Sequence, residues 1–328
     1  ALTEEERSQF QSQGFVVLNK KIPYHLVKTL RERAPSLFRG EFETGVYPDE
    51  WYGREGMSLP HITKEICNVW KSDRWFATVS LSAEIHRLCA EVHGWEGSRI
   101  GQDNIIVKPA GVGSPVHYHQ DSPYVSAQFT PEANNSVTCW IPLVDVDEAS
   151  GTIEYAVGSH RWPRVGHGAP SSFHGDEDTG SEGGRPEGHG GFRAPMLAAA
   201  RAAGLEPKDV QVKAIRARAG TLVLHHQDVW HGSGPHRGGG GAAGATCDGE
   251  EAAAADRSAL SFQVLSTACR FRGDRAPGYI YGRYRLGGRD KLEETFFPVC
   301  WRRSAGEQRT GGGGGRTGFL GKYLHEEL

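Results

Sequence analysis

Methionine occurs only twice in the 328 residues, and the six cysteines, at positions 67, 89, 139, 247, 269 and 300, form no C-x-x-C or other close pair. Neither a zinc knuckle nor a disulfide framework is indicated, and a reducing compartment is the simpler expectation. No run of eighteen apolar residues exists, and the opening stretch ALTEEERSQF is charged from its fourth residue, so neither a membrane span nor a signal peptide is expected. An excess of one charge is also missing. The formal net charge is −3 and the pI about 6.6, which gives no global pull toward nucleic acid or anionic membrane. The expected partner is a small-molecule substrate; no nucleic acid is expected, and the oligomeric state is not legible. The expected location is the cytoplasm or an organellar lumen or matrix, with retention in the endoplasmic reticulum through the last four residues, HEEL, as a further option.

Glycine, by contrast, is abundant, at 44 residues, and much of it falls in three segments. Residues 166–194 are rich in Gly, Ser and charge, residues 237–256 are Gly/Ala low complexity, and RTGGGGGRTG (309–318) reads as a tail. The first interrupts a β-region and is a candidate lid. Thr3 with Glu6 forms a T-x-x-E capping box that opens a helix over residues 3–13, and GFVVL (14–18) follows as a strand. Leu26, Val27, Leu30 and Ala34, then Ile85, Leu88, Cys89 and Val92, recur at helical spacing, so residues 1–100 read as mostly helical. From residue 101 the chain turns to short β-rich runs: NIIVKP, SPVHYHQD, SVTCWIPLVDV, GTIEYAVGSH, VQVKAI, GTLVLHHQDVWH and ALSFQVLS. Such spacing suggests a sandwich or barrel wrapped by N-terminal helices.

The stretch PVHYHQDSP (115–123) carries two imidazoles and a carboxylate. In an extended chain residues i and i+2 share a face, so His119 and Asp121 can converge on one ion, as can His117 and His119. A third ligand must come from elsewhere, and TLVLHHQDVWHGSGP offers His225, His226 and His231. Two histidines and one carboxylate on one side of a metal leave adjacent positions open, the arrangement of non-haem Fe(II) oxygenases. Zinc more often takes closed N/S coordination or three ligands and one water.

An ordered set extends the pattern: His119-Gln120-Asp121, Trp140, Gly158-Ser159-His160, His231-Gly232-Ser233-Gly234-Pro235 and Arg257, after an opening FQSQGFVVL. From about residue 3 to about 270 this resembles the phytanoyl-CoA dioxygenase family of Fe(II)/2-oxoglutarate oxygenases. The resemblance implies a double-stranded β-helix (jelly-roll, cupin-like) core, and one oxygenase domain over 1–328. That domain would comprise a helical part (1–100), a core (101–270) with insertions at 166–194 and 237–256, and a C-terminal extension (271–328). It implies that His119, Asp121 and His231 bind Fe(II), with His226 as the fallback. Arg257 would pair with the distal carboxylate of 2-oxoglutarate, helped by Ser233, with Trp140 walling the cosubstrate pocket. Asn104, Lys64 and Gln102 are further cosubstrate contacts on this reading. There are departures: Val157 replaces a Pro, His236 an Asn, and the connection from His231 to Arg257 is longer than in relatives. Should the insertion displace the strand, Arg237 becomes the alternative anion ligand.

The implied reaction uses Fe(II), 2-oxoglutarate and O2, releases succinate and CO2, and oxidises a C–H bond of a small or lipid-like substrate. Asp121 favours hydroxylation over halogenation, because related halogenases replace that carboxylate to admit chloride. Six arginines between Arg270 and Arg289, interleaved with tyrosines, raise the expectation of an anionic substrate, and VYPDEWYG (46–53) that of an aromatic entrance. The alternatives are a non-catalytic 2-oxoglutarate or metal binder, and a cupin-like metalloprotein that does not use 2-oxoglutarate.

Overall fold

The computed structural model describes residues 1–163, 191–238, 255–274 and 278–304. Two antiparallel sheets dominate it. The larger has eight strands: Phe15–Lys21, Thr221–His226, Ser136–Pro142, Arg257–Ser266, Gly97–Lys108, Lys64–Cys67 and Glu50–Tyr52 in spatial order, with Val299–Arg302 also paired to Gly97–Lys108. The smaller runs Val116–His119, His231–Ser233, Ile153–Ala156, Val212–Ala214. Phe15, Trp140, Val223 and Ala259 of the first pack with Ile153 and Tyr155 of the second in one apolar cluster, so the sheets face each other as a jelly roll.

Alternation along the large sheet explains its two faces. Ile105, Cys139, Leu224 and Leu260 point outward into the main core cluster, where they meet Val27, Leu30 and Leu37 of the helix Tyr24–Phe38 and Ile85 and Leu88 of the helix Ala83–Glu91. The inward positions carry polar side chains, among them Gln102, Asn104, Thr138 and Ser261, around a cavity.

The capping box forms as read: Thr3 Oγ1 accepts from the Glu6 backbone N–H and Glu6 from that of Thr3, opening the helix Glu4–Gln13. Gly14 ends it at φ +83°, where a Cβ would also lie 2.5 Å from His160 Nδ1, so only glycine suits this turn. The expected helical character of the first hundred residues holds for four helices, Glu4–Gln13, Tyr24–Phe38, Arg74–Ser80 and Ala83–Glu91. The same segment also supplies Phe15–Lys21, Glu50–Tyr52 and Lys64–Cys67 to the large sheet; the last two are too short to show a period of two. Among the described residues no helix is long and apolar enough to cross a membrane.

The ends of the glycine-rich insertion meet: His236 Nε2 donates to the carbonyl of Ala255 at 3.1 Å, and Asp256 accepts from the Ala110 N–H at 3.0 Å. The strand Arg257–Ser266 therefore starts in register, Arg257 opposite Lys108. The candidate lid at 166–194 lies, up to residue 190, outside the described residues, as do the tail with HEEL and Cys247.

Candidate metal centre

His119 ends the strand Val116–His119, and Asp121 lies just beyond it. His231 opens the neighbouring strand directly opposite His119. Gly232 is small because Val116–His119 passes closely: a Cβ would lie 2.7 Å from the Tyr118 ring and 2.9 Å from the Val116 carbonyl. The three side chains are buried, and one ligand atom from each falls within 4.8 Å of the others.

Both imidazoles are held in one tautomer. His119 Nδ1–H donates to the His117 carbonyl at 2.8 Å and His231 Nδ1–H to that of Val229 at 3.0 Å; a carbonyl only accepts, so each Nε2 presents a lone pair. These Nε2 atoms lie 4.0 and 3.7 Å from Asp121 Oδ1. Burial pushes both histidines down to about 4, and a neighbouring imidazole adds to it in each case, so both are neutral at pH 7. Burial alone would raise the Asp121 carboxyl. In the acid range where Asp121 titrates, protonated His231, the hydrogen bond from His225 and protonated His119 outweigh it and hold Asp121 well below the ordinary carboxylate range. Its second oxygen, Oδ2, accepts from Thr138 Oγ1 at 2.5 Å and from His225 Nε2–H at 3.2 Å. Two neutral nitrogens and one carboxylate oxygen thus converge from one side, a donor set that fits Fe(II).

Cross-strand register sorts the rest of the cavity into rows. Lys108 stands opposite Arg257; Glu65, Ile106 and Ala259 form the next inward row; Asn104, Ser261 and Trp140 the next; Gln102, Gln263, Thr138 and His225 the last. The first row is cationic and buried. Lys108 Nζ donates to Ser233 Oγ at 2.8 Å and to the Gly234 carbonyl at 2.6 Å, and Arg257 Nη2 reaches the same Ser233 Oγ at 3.5 Å. Burial, then the charge of Arg257, depresses the Lys108 ammonium well below its ordinary value, and burial brings Arg257 down to about 10. Like charges on directly opposed residues repel, and Arg257 Nε is buried without a hydrogen-bond partner among the described residues. A carboxylate placed here would meet both needs.

Trp140, Ser233, Arg257, Asn104 and Gln102 all line the same open cavity as the metal centre. Lys64, expected at the cosubstrate, does not join them. It projects from the other face of its strand, with Nζ 5.9 Å from the centre of the Phe38 ring, while Thr63 and Glu65 take the inward positions. The cation at that end is Lys108, which the sequence reading missed. His225, offered as a candidate third ligand, instead bonds Asp121, and Glu65, which the sequence reading did not single out, lines the cavity outside the ligand set. His226, the fallback ligand, points to the helix side, where its ring lies 6.1 Å from Phe10 and 5.2 Å from His160. Arg237 is exposed. The Gly158-Ser159-His160 turn is a clamp: Ser159 Oγ accepts from the Trp230 N–H at 2.8 Å and His160 bonds the Gln11 carbonyl at 3.1 Å.

None of the described arginines from Arg270 to Arg289 lines the cavity; Arg272 pairs with Asp274 and Glu132, and Arg283 with Asp49. Trp51 packs against Phe42, with Arg54 over its ring, and is also no part of the wall.

The model of the family described as phytanoyl-CoA dioxygenase (PhyH) matches residues 10–243. No curated protein matches the sequence significantly. Among solved structures, the non-heme alpha-ketoglutarate-dependent carbocyclase SnoK from nogalamycin biosynthesis is similar at 19% identity and a TM-score of 0.62, over 91% of this chain and 96% of that one. The epimerase SnoN in complex with Fe3+, alpha ketoglutarate and nogalamycin RO follows at 16% identity and a TM-score of 0.58, over 90% and 98%. EctD from S. alaskensis, with 2-oxoglutarate and 5-hydroxyectoine, has 15% identity and a TM-score of 0.58, over 83% and 78%. At these identities the similarity is one of fold.

Proposed function

Because the chain belongs to the phytanoyl-CoA dioxygenase family, we propose that it is an Fe(II)/2-oxoglutarate-dependent dioxygenase that hydroxylates, or otherwise oxidises at a C–H bond, a small molecule. The supporting observation is that a His-Asp-His cluster shares one cavity with the buried Arg257 guanidinium and with Ser233, whose Oγ also accepts from Lys108 Nζ. His119 Nε2, His231 Nε2 and Asp121 Oδ1 would hold the iron. Arg257, Lys108 and Ser233 would take the distal carboxylate of 2-oxoglutarate, the guanidinium supplying a planar fork and the ammonium a point charge. Trp140, in the row between, would wall the cosubstrate. The bound iron and keto acid supply O2-dependent oxidative decarboxylation, with succinate and CO2 as products and a substrate C–H as the reductant.

The chain's own part is to keep both imidazoles neutral, aim one oxygen of Asp121 and neutralise the cosubstrate in a site that restricts water. A carboxylate as third ligand favours oxygen insertion over halogenation.

Anaerobic titration with Fe(II) and then 2-oxoglutarate tests the reading. The expected result is a visible charge-transfer band that needs both components, and succinate formation when O2 is admitted. Iron binding without the band would favour a cupin-like metalloprotein, and a band without succinate a non-catalytic binder.

A further inference from the structure

The cavity wall beyond the cationic row includes a group of neighbouring acceptors, Glu65, Asn104 and Gln102. Glu65 and Asp121 are the carboxylates that line it; Asp121 belongs to the metal cluster and Glu65 does not. Glu65 stands on the strand Lys64–Cys67, two strands from Arg257 and one inward position further along. Asn104 donates its Nδ2–H to Glu65 Oε1. A carboxylate only accepts, so this bond fixes the amide's orientation and leaves Oδ1 as the other polar atom. Asn104 Oδ1 and Gln102 Oε1 are both buried with no hydrogen-bond partner among the described residues, and both side chains line the cavity.

Three acceptors, one of them ionic, are a poor match for the carboxylates of 2-oxoglutarate, which need donors. They match an ammonium group, which carries three N–H donors and a positive charge. The cavity is therefore polarised: positive charge at Arg257, with Lys108 bonded to the neighbouring Ser233, and acceptors with a carboxylate at Glu65, Asn104 and Gln102.

We propose that the substrate of this dioxygenase carries a protonated amine, which Glu65 binds as a counter-ion while Asn104 Oδ1 and Gln102 Oε1 accept its remaining N–H bonds. The proposal rests on the dioxygenase reading and deepens it. It also replaces the anionic substrate suggested by the arginines after residue 270, whose described members lie outside the cavity.

The experiment is an anaerobic titration of the holoenzyme with Fe(II) and 2-oxoglutarate bound, using skeleton-matched probes. Cyclohexylammonium is compared with cyclohexanol and cyclohexanecarboxylate, and glucosamine with glucose. In at least one set the ammonium member is expected to perturb the charge-transfer band at the lowest concentration. In Glu65→Gln its apparent Kd is expected to rise about tenfold or more, a loss typical of a charged hydrogen bond, while the band itself and the affinity for 2-oxoglutarate stay as in the wild type. Perturbation by only the neutral or anionic members, no response to any ammonium probe, or an unchanged ammonium Kd in Glu65→Gln would each overturn the proposal. Absence of the band from the wild type would instead sink the dioxygenase reading beneath it. Should the variant not fold, the ranking within each set on the wild-type protein decides.

Discussion

His225 Nε2 lies 3.2 Å from Asp121 Oδ2, and on the other side of the same ring Nδ1 lies 2.8 Å from the Tyr155 hydroxyl. An ionised carboxylate only accepts, so Nε2 carries the proton and Nδ1 accepts from Tyr155, which gives the chain Tyr155–His225–Asp121 one direction. With Thr138 it ties down Oδ2 and leaves Oδ1 toward His119 and His231. His225→Phe removes a donor to Oδ2 and frees the carboxylate to rotate. Fe(II) affinity should fall about 10- to 100-fold, the range for partners that orient a metal ligand. Anaerobic Fe(II) titration reads it directly, and an affinity equal to wild type would show that Thr138 alone sets the orientation.

On the proposed reading iron and cosubstrate are held by different residues, so the two sites should be separable. Arg257→Ala should weaken 2-oxoglutarate binding by about 10- to 100-fold, the value of a hydrogen bond to a charged group, with Fe(II) affinity within about twofold of wild type. Asp121→Ala should weaken iron binding strongly and, with it, the charge-transfer band. Equal loss of both ligands in Arg257→Ala would count against placing the distal carboxylate at this end.

What was legible in the sequence was whatever depends on local spacing. His119 and Asp121 share a face through the two-residue repeat of an extended chain, and the capping box of Thr3 and Glu6 lies within one helical turn. What failed was parity and partnership across strands. Lys64 and Glu65 are adjacent, and a shift of one residue decides which enters the cavity; only the pairing of Glu65 with Ile106 settles it. The same holds for His225 and His226, where the register of His225 with Thr138 turns one ring to the metal centre and the other to the helices. Lys108, before Pro109 in VKPAGVG, carries no local signal of a site; only its opposition to Arg257, 149 positions away, brings it there.

That opposition couples function to stability with opposite signs. In the ligand-free protein Lys108 is a desolvated cation beside another, and its ammonium is depressed for that reason. Lys108→Met should keep the stem's packing, relieve the repulsion and leave the ligand-free Tm unchanged or higher. It should also reduce 2-oxoglutarate affinity and shrink the rise in Tm that the cosubstrate produces in the Fe(II)-loaded protein. Thermal unfolding with and without 2-oxoglutarate checks both. A lower ligand-free Tm with an undiminished cosubstrate shift would make Lys108 a purely structural bridge to Ser233 and Gly234.

On the helix side of the same strand, Asp103 is fully buried. Burial raises its carboxyl to about 7, against the hydrogen bond from Ser80 Oγ at 2.7 Å and that from the Trp70 N–H at 3.3 Å. In the unfolded chain this carboxyl ionises near the ordinary 3.8. Between these two values the folded state binds the extra proton, so the contribution of Asp103 is fully present below about pH 4 and is lost as pH rises to about 7. Asp103→Asn imitates the protonated acid at every pH, because its amide can donate to Ser80 Oγ while its carbonyl still accepts from Trp70. Urea unfolding of the two proteins at pH 5 and pH 8 should therefore show Asp103→Asn gaining on the wild type by an amount that grows with pH, up to a few kcal/mol. A pH-independent difference would mean that Asp103 is ionised in the fold and that Ser80 and Trp70 suffice to hold the charge.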